Sequence, residues 1–476
     1  MSKLPTHDIS PDPVKIHTPH EIDLYARRQK IHARSIAGFF QNIRKLTIWV
    51  SLGIFFLLPW INWDGRQALL FDLPEHRFYI FWWTFLPQDF VFLSWLLIIS
   101  AMTLFAVTVF AGRVWCGYSC PQTVWTTVFM WIEELTEGNR NARIRLDKSP
   151  FSIKKLVRRS LKHAGWVFVA LATGLTFVGY FTPAHELYHE FRSLELGFWE
   201  IFWIFFFTAA TYLNAGWMRE QVCMYMCPYG RFQSVMFDRD TLIISYDSKR
   251  GDPRGGRKKG TDYAAEGLGS CIDCELCVQV CPTGIDIRDG LQFECIQCAA
   301  CVDACDSIMD QMGYARGLVR YTTENALEQG TGMHFLRPRL IGYALVLTVM
   351  GGLFLYALTG RVPLTVEAIR DRNQLYRESS DGNIENVYTL KIMNESQHTE
   401  VYTLSVDGDK RIREESSDPA RLTLGPGELR EVPITLEADP GQLDKTRYDI
   451  HFDVKATDDS HTVASTESRF LAPATQ

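Results

Sequence analysis

Apolar residues gather in five stretches, roughly Leu46–Ile61, Phe90–Ala111, Gly165–Phe181, Phe198–Leu213 and Leu340–Leu358. Each reaches or approaches the ~17–25 apolar residues a helix needs to cross a bilayer core. The first is short and contains Pro59, which leaves its ends open. The aromatic run Phe78–Phe85 is too short to span and is expected at the interface. Trp49, Trp60, Trp63, Trp82, Trp83, Trp199 and Trp203 suit the aromatic belts of the headgroup regions. From about Val362 the apolar period becomes two, as in Val387-Tyr-Thr-Leu-Lys-Ile, Val401-Tyr-Thr-Leu-Ser-Val and Tyr448-Asp-Ile-His-Phe-Asp-Val. Turns at Asp381-Gly382, Asp407-Gly408 and Pro426-Gly427 separate these short strands, so the tail reads as a cysteine-free immunoglobulin-like β-sandwich.

This pattern corrects the bulk figures. A mean hydropathy of −0.06 looks like a soluble protein, but it averages membrane spans with polar domains. The 49 Lys and Arg against 55 Asp and Glu give a charge of −6, which argues against nucleic acid as a partner. The basic residues are unevenly spread. Arg27, Arg28, Lys30, Arg34, Arg44 and Lys45 flank the first span, a basic loop from Arg113 to Arg159 follows the second, and Lys249–Lys259 follows the fourth. Trp63–Gln88 has only Arg66 and Arg77, and Thr182–Gly197 only Arg192. The positive-inside rule then predicts a multi-pass protein of the bacterial inner membrane, with a cytoplasmic N-terminus and a periplasmic tail. No cleaved signal peptide is expected; the first span serves as its own insertion signal.

All 12 cysteines fall between Cys116 and Cys305, which this topology assigns to the cytoplasmic side. A disulfide framework is therefore not expected. Cys271-x2-Cys274-x2-Cys277-x3-Cys281-Pro282 is followed by Cys295-x2-Cys298-x2-Cys301-x3-Cys305. In two-cluster ferredoxins the fourth cysteine of each run serves the other cluster. Cys271, Cys274, Cys277 and Cys305 are accordingly assigned to one [4Fe-4S] cluster, and Cys295, Cys298, Cys301 and Cys281 to a second. Zinc knuckles are the competing reading of CxxC pairs. One departure stands out: Pro282 follows Cys281, but Asp306 follows Cys305.

The remaining four cysteines repeat one motif, Cys116-Gly-Tyr-Ser-Cys120-Pro121 after the second span and Cys223-Met-Tyr-Met-Cys227-Pro228 after the fourth. Each closes a two-span unit, which predicts an internal parallel repeat. Proline fits the first turn of a helix, so short interfacial helices Gln122–Glu134 and Tyr229–Phe237 are predicted, with Cys120 and Cys227 near their N-caps. A thiol there is expected to be stabilised as thiolate, helped by nearby Arg113, Arg219 and Arg231. These residues permit redox-active dithiols, Cu(I) sites, a four-thiolate iron–sulfur centre, or plain packing.

C-x3-C-P pairs after membrane hairpins, followed by a bicluster ferredoxin domain, resemble the NapH/NosR group of membrane iron–sulfur proteins. The stretch Cys281-Pro-Thr-Gly-Ile-Asp-Ile-Arg-Asp-Gly-Leu-Gln-Phe-Glu-Cys295, with Cys301-Val-Asp-Ala-Cys-Asp306, narrows this to the FixG/RdxA/CcoG family of cytochrome c oxidase accessory proteins. The resemblance covers essentially the whole chain. It implies an oxidoreductase that reduces Cu(II) to Cu(I) for assembly of a cbb-type cytochrome c oxidase. The eight cluster cysteines then carry two [4Fe-4S] clusters, and Cys116, Cys120, Cys223 and Cys227 handle copper. The implied partners are the lipid bilayer, the oxidase or its copper-insertion factors, and a cytoplasmic electron donor or quinol. The alternatives are a quinol dehydrogenase of NapH type and a non-enzymatic assembly scaffold or redox sensor.

The expected fold is thus a multi-domain membrane protein: a five-span α-helical bundle with an internal two-hairpin repeat, an α+β bacterial-type bicluster ferredoxin domain and an all-β immunoglobulin-like sandwich. Its parts are a cytoplasmic segment 1–38, a four-span domain 39–240, a ferredoxin domain 241–336, a fifth span 337–360 and a periplasmic domain 361–476. His185-Glu-Leu-Tyr-His189 matches the H-E-x-x-H zinc pattern but lies in a short outer loop, and is expected to be an interfacial pair or a minor copper site. His163 is expected to be a polar interface residue, with a haem-ligand role left open, and the sequon at Asn394 is expected to be chance. Residues 251–269 are expected to be a solvated linker, and the first ~25 residues, with low apolar content, to be disordered.

Overall fold

The five apolar stretches form five helices long and apolar enough to cross a membrane: Phe39–Trp60, Phe90–Ala111, Ile153–Val178, Phe198–Met218 and Pro338–Thr359. This computed structural model describes residues 30–473 apart from 64, 264, 331–333, 335–336, 372–373, 397, 415–420 and 458–461; the disorder expected of the first ~25 lies outside them. The first and third spans start earlier than their apolar cores because Gln41, Arg44 and Lys162 are buried against partners at one face. Pro59 falls in a tight 3-10 turn that ends the first span. The third and fourth spans pack on each other, as do the second and fifth. Gly174 permits the first of these contacts, since a Cβ there would stand 2.7 Å from the Ile204 carbonyl oxygen.

The repeat is visible in the backbone. Gly112 ends the second span at φ 57°, ψ −121°. Arg219 ends the fourth at φ 46°, ψ −112°. Each stands four residues before the first cysteine of its pair. Glycine tolerates positive φ, whereas an arginine there is strained by about 1–3 kcal/mol. A buried ion cluster holds Arg219 in place. Its Nη2 lies 2.7 Å from Glu133, which also accepts from Arg143 at 3.1 Å, while Lys162 sits 2.9 Å from Glu137. Both carboxylates are fully buried, so helix Pro121–Glu137 of the first repeat is clamped to the end of the second.

At the opposite end of the spans, the aromatic run expected at the interface belongs to a three-stranded antiparallel sheet: Leu69–Asp72, Arg77–Ile80 and Trp83–Phe85. The tail rests on it. Arg361, just past the fifth span, bonds Thr84 O at 2.9 Å, Asp89 at 2.6 Å and Glu395 at 2.5 Å, and Arg77 donates to Gly427 O at 2.7 Å. The tail itself is two antiparallel sheets. One orders Arg413–Glu414, Leu429–Ala438, Ile384–Asn394 and Leu364–Arg370, with Arg377–Glu378 beside the third; the other orders Arg421–Leu424, Glu400–Asp407, Arg447–Ala456 and Val463–Leu471. Strict alternation along Ile384–Asn394 sends Tyr388, Leu390 and Ile392 inward against Tyr402, Phe452 and Phe470.

On the other face, Ile243–Tyr246 pairs with Val319–Thr322, helix Leu276–Gln279 holds Cys277, helix Ala300–Met312 holds Cys301 and Cys305, and the other five run cysteines lie in loops. The expected linker 251–269 is largely exposed and almost without regular secondary structure across its described residues, but it is tied down. Gly255 N–H bonds Cys271 O at 3.3 Å, Gly269 N–H bonds Pro253 O at 2.8 Å, and Arg257 lies over Tyr263 and Tyr314 while donating to Gly269 O at 2.7 Å. Arg257 stacking fixes the segment, which glycine content alone would leave loose.

The ion cluster makes a stability prediction. Removing one partner of a buried pair costs about 3–5 kcal/mol, so Glu133→Gln should lower the unfolding temperature in detergent markedly. Burial would raise the Glu133 carboxyl, but Arg219 beside it holds it below the usual carboxylate range. Its contribution is therefore complete above the unfolded value of ~4.3 and is lost as pH falls through the lower folded one. The gap between wild type and Glu133→Gln should narrow on acidification below about pH 4; a gap independent of pH would contradict this.

Candidate functional site

The two cysteine runs have the same backbone. Asp273 and Glu275 stand at φ 53° and 54°, and their counterparts Gln297 and Ala299 at 54° and 58°. Two left-handed non-glycine residues within three are uncommon and curl each loop about a point. One gap so formed is lined by Cys271, Cys274, Cys277 and Cys305. The other is lined by Cys281, Cys295, Cys298 and Cys301, with Cys277 at its edge. The gaps suit a cubane, which keeps its four thiolate ligands apart at its corners. Among the described residues, no group of three or more His, Cys, Asp or Glu surrounds a single ion position. Burial pushes Cys277 up to about 11 and Cys295 and Cys305 up to about 12, so the emptied site would hold thiols that metal binding must deprotonate. The missing proline after Cys305 has a simple cause. Cys305 lies inside helix Ala300–Met312, which a proline at 306 would break.

The C-x3-C-P pairs form the second constellation. Helices begin at Pro121 and Pro228, with Cys120 and Cys227 as their N-caps; they run Pro121–Glu137 and Pro228–Met236. Cys116 lies in a short helix, Val114–Tyr118, and Cys223 in a wide turn, Val222–Met226. The two pairs share one neighbourhood: charge on Cys120, Cys116 or Cys227 would be felt at Cys223. The thiolate stabilisation expected at the helix starts is overturned for Cys120. Burial lifts Cys116 to about 11 and Cys223 to about 12, and it lifts Cys120 even though the helix-start amides of Gln122 and Thr123 pull the other way. Gln233, fully buried, meets Cys116 Sγ at 3.4 Å.

These two constellations touch. Cys116 packs in one apolar cluster with Cys298 and Cys301. Gly117 makes the approach possible, since a Cβ there would lie 2.7 Å from Ile296 O and 3.0 Å from Cys298 Cα. Arg113 spans the seam. Its backbone N–H donates to Gln297 Oε1 at 2.7 Å, and its guanidinium donates to Phe293 O, to Cys295 O at 3.4 Å and to Gly230 O at 2.7 Å. The first span is tied in as well. Asp303 accepts the helix-start N–H groups of Phe40 and Gln41 at 3.2 and 2.8 Å, and the Gln41 amide donates to Cys298 O at 3.0 Å. Arg113 was visible in the sequence as nearby positive charge, but its bridging role was not. Gln233 and Asp303 carry no sequence signal, because their partners lie over a hundred positions away.

His185 and His189 lie on helix Ala184–Ser193 at the opposite face, far along the chain from any cysteine. His185 packs edge-on against Trp60 at 5.2 Å. His163 Nδ1 lies 2.8 Å from the Tyr212 hydroxyl and its ring sits edge-on to Trp166. Asn394 is fully buried and accepts from the Tyr402 hydroxyl at 2.8 Å, so its side chain is spent inside the sandwich.

The thiolate is the nucleophile toward alkylating agents. In protein stripped of metal, Cys116 and Cys223 should therefore react far more slowly with iodoacetamide at pH 8 than a free cysteine, and faster as pH climbs toward about 11 and 12. Mass-spectrometric site occupancy reads this; rapid labelling of either at neutral pH would contradict it.

Comparison with known proteins follows the same division. The family described as a 4Fe-4S binding domain matches residues 93–134, the 4Fe-4S dicluster domain matches 218–324, and the IG-like fold at the C-terminus of FixG matches 354–473. Nitrogen fixation protein FixG of Rhizobium meliloti (strain 1021) is 39% identical over 443 residues, covering 84% of this chain and 84% of that protein. Protein RdxA of Cereibacter sphaeroides is 39% identical over 416 residues, covering 84% and 87%. The crystal structure of a FixG-related protein from Vibrio parahaemolyticus is 33% identical, with a TM-score of 0.21 over 23% of this chain and 95% of that one. Five membrane helices, a dicluster domain and relatedness along most of its length make this chain a member of the FixG/RdxA family of membrane iron–sulfur electron-transfer proteins.

Proposed function

We propose that this chain is a cupric reductase that supplies Cu(I) for assembly of a cbb-type cytochrome c oxidase. The observation that carries the reading is the packing of one C-x3-C-P cysteine, Cys116, against the apolar cluster that contains Cys298 of the second cysteine loop. Cys271, Cys274, Cys277 and Cys305 would hold one [4Fe-4S] cluster, and Cys281, Cys295, Cys298 and Cys301 the other. When bound, these clusters supply one-electron carriage. The chain's own residues do the rest. Cys116, Cys120, Cys223 and Cys227 offer soft sulfur, which favours Cu(I) over Cu(II), so the product state is the one the site stabilises. The raised pKa values of Cys116, Cys120 and Cys223 mean that each of these three thiols gives up a proton as copper binds. Gln233 orients Cys116 Sγ, and Arg113 fixes the spacing between the two constellations.

The basic flanks support an inner-membrane protein with this face in the cytoplasm and the sandwich in the periplasm. There the sandwich would dock the oxidase or a copper-insertion factor. His185 and His189 would be on the periplasmic side, where imidazole could take Cu(II) in passing.

Two tests follow. In Cys223→Ser/Cys227→Ser protein, Cu(I) formation by the pre-reduced, desalted protein should fall by about tenfold or more at unchanged iron content; an unchanged rate would sink the reading. Arg113→Gln removes a positive charge beside one cysteine loop only. Because charge and hydrogen bonds set cluster potentials, an EPR redox titration should show one cluster shifted to lower potential and the other unmoved. Equal shifts, or none, would contradict the proposed neighbourhood.

A further inference from the structure

A cavity of about 420 Å³ opens between the first span and helix Pro121–Glu137. Its volume lies in the ~300–1,000 Å³ range of small-molecule sites. Segment 33–37 lines it, and Val280, Pro282 and Ala300 close it from the cysteine domain. Arg34, Ser35 and Lys45 are exposed and give it an aqueous mouth, whereas Ile48 is fully buried and shuts it off from the bilayer core. Its charges are unequal. Arg34, Arg44, Lys45 and Arg143 line it against one carboxylate, Glu134. Arg143 belongs to the buried ion cluster, in which Arg143, Arg219 and Lys162 outnumber Glu133 and Glu137. The wall behind the cavity therefore adds positive charge and does not cancel it.

Two of these cations are built into the wall. Arg143 is 4% exposed and Arg44 6%. Arg143 Nε has no hydrogen-bond partner among the described residues. Arg44 is bonded among them only to neutral groups, Gly117 O at 3.0 Å, Thr127 Oγ1 at 3.1 Å and Gln41 Oε1 at 3.5 Å. A buried guanidinium left without an anion is costly. Arg44 is felt at Cys298, so the second cysteine site takes part of its charge; Arg34, Lys45 and Arg143 Nε remain for the cavity. Three such donors suit the three terminal oxygens of a phosphate, and arginine forks match that geometry. Ile36, Met130, Trp131 and Pro282 supply apolar walls, so the space beyond the anion suits an organic body.

We infer that this cavity is a binding site for an organic phosphate whose anionic group enters from the aqueous side and is held by Arg34, Lys45 and Arg143 Nε. The phosphate belongs either to a soluble ester or to a lipid headgroup folded in from the membrane surface. The site is independent of copper handling, and its test uses no copper.

Lys45 reads the site without turnover. In detergent-solubilised holoprotein, saturating phenyl phosphate should slow acetylation of Lys45, mapped by mass spectrometry, about tenfold, and potassium chloride at equal ionic strength should not. Arg34→Gln, at an exposed position, should raise the phenyl phosphate needed for half-protection about tenfold. Met130→Trp fills the cavity and should abolish protection at unchanged iron content. Equal protection by chloride, or protection indifferent to both substitutions, overturns the site. Nanodiscs separate the two sources. Protection by phosphatidylglycerol but not phosphatidylcholine, with no further response to phenyl phosphate, assigns the phosphate to a lipid headgroup. Protection by phenyl phosphate in phosphatidylcholine assigns it to a soluble ester. A Lys45 already protected without phosphate, and freed by deleting residues 1–29, would give the cavity to the chain's own start and overturn the proposal.

Discussion

Everything functional in this molecule depends on one close approach: the backbone of Gly117 against the backbone from Ile296 to Cys298. No side chain fits between them. The approach puts a membrane-attached thiol and the cluster-domain cysteines into one apolar core, and Arg113 bolts the seam from both its backbone and its guanidinium. Asp303 adds a third tie. A carboxylate from the cysteine domain caps the first span, where the helix start favours negative charge. The cysteine domain is thereby fixed on the membrane helices and does not hang from a linker.

Duplication explains why the thiol site is a quartet. Two hairpins end in the same reversed backbone, and each delivers a C-x3-C-P turn to the same place. The halves have since become unequal. The first uses glycine at the reversal, and the second uses Arg219, whose strain is held by Glu133. That exchange couples the halves: the strained arginine of one repeat is also the counter-charge of a buried carboxylate in the other. Arg143 and Lys162 complete the balance.

Much of the fold was legible in the sequence because its constraints are local. A span needs apolar length, a sandwich strand needs alternation, a cubane needs fixed cysteine spacing, and Pro121 and Pro228 announce helix starts. What was not legible depends on distant partners. Glu133, Gln233 and Asp303 look like ordinary surface residues until the chain is folded. The thiolate expectation failed for Cys120 because helix position is a local effect, whereas desolvation is set by the whole site. The strand character within Phe78–Phe85 was not legible because it rests on pairing with Leu69–Asp72.

The match to a 4Fe-4S binding domain over residues 93–134 includes Cys116 and Cys120, so the thiol quartet has a competing tenant in a further iron–sulfur cluster. Iron, sulfide and copper content of the purified protein, with EPR of its reduced form, separates the two most directly. Copper handling by the quartet requires roughly eight iron per chain, two cubanes of four, with copper bound as EPR-silent Cu(I). About twelve iron per chain, with a third cluster signal abolished by Cys116→Ser or Cys223→Ser, would contradict it.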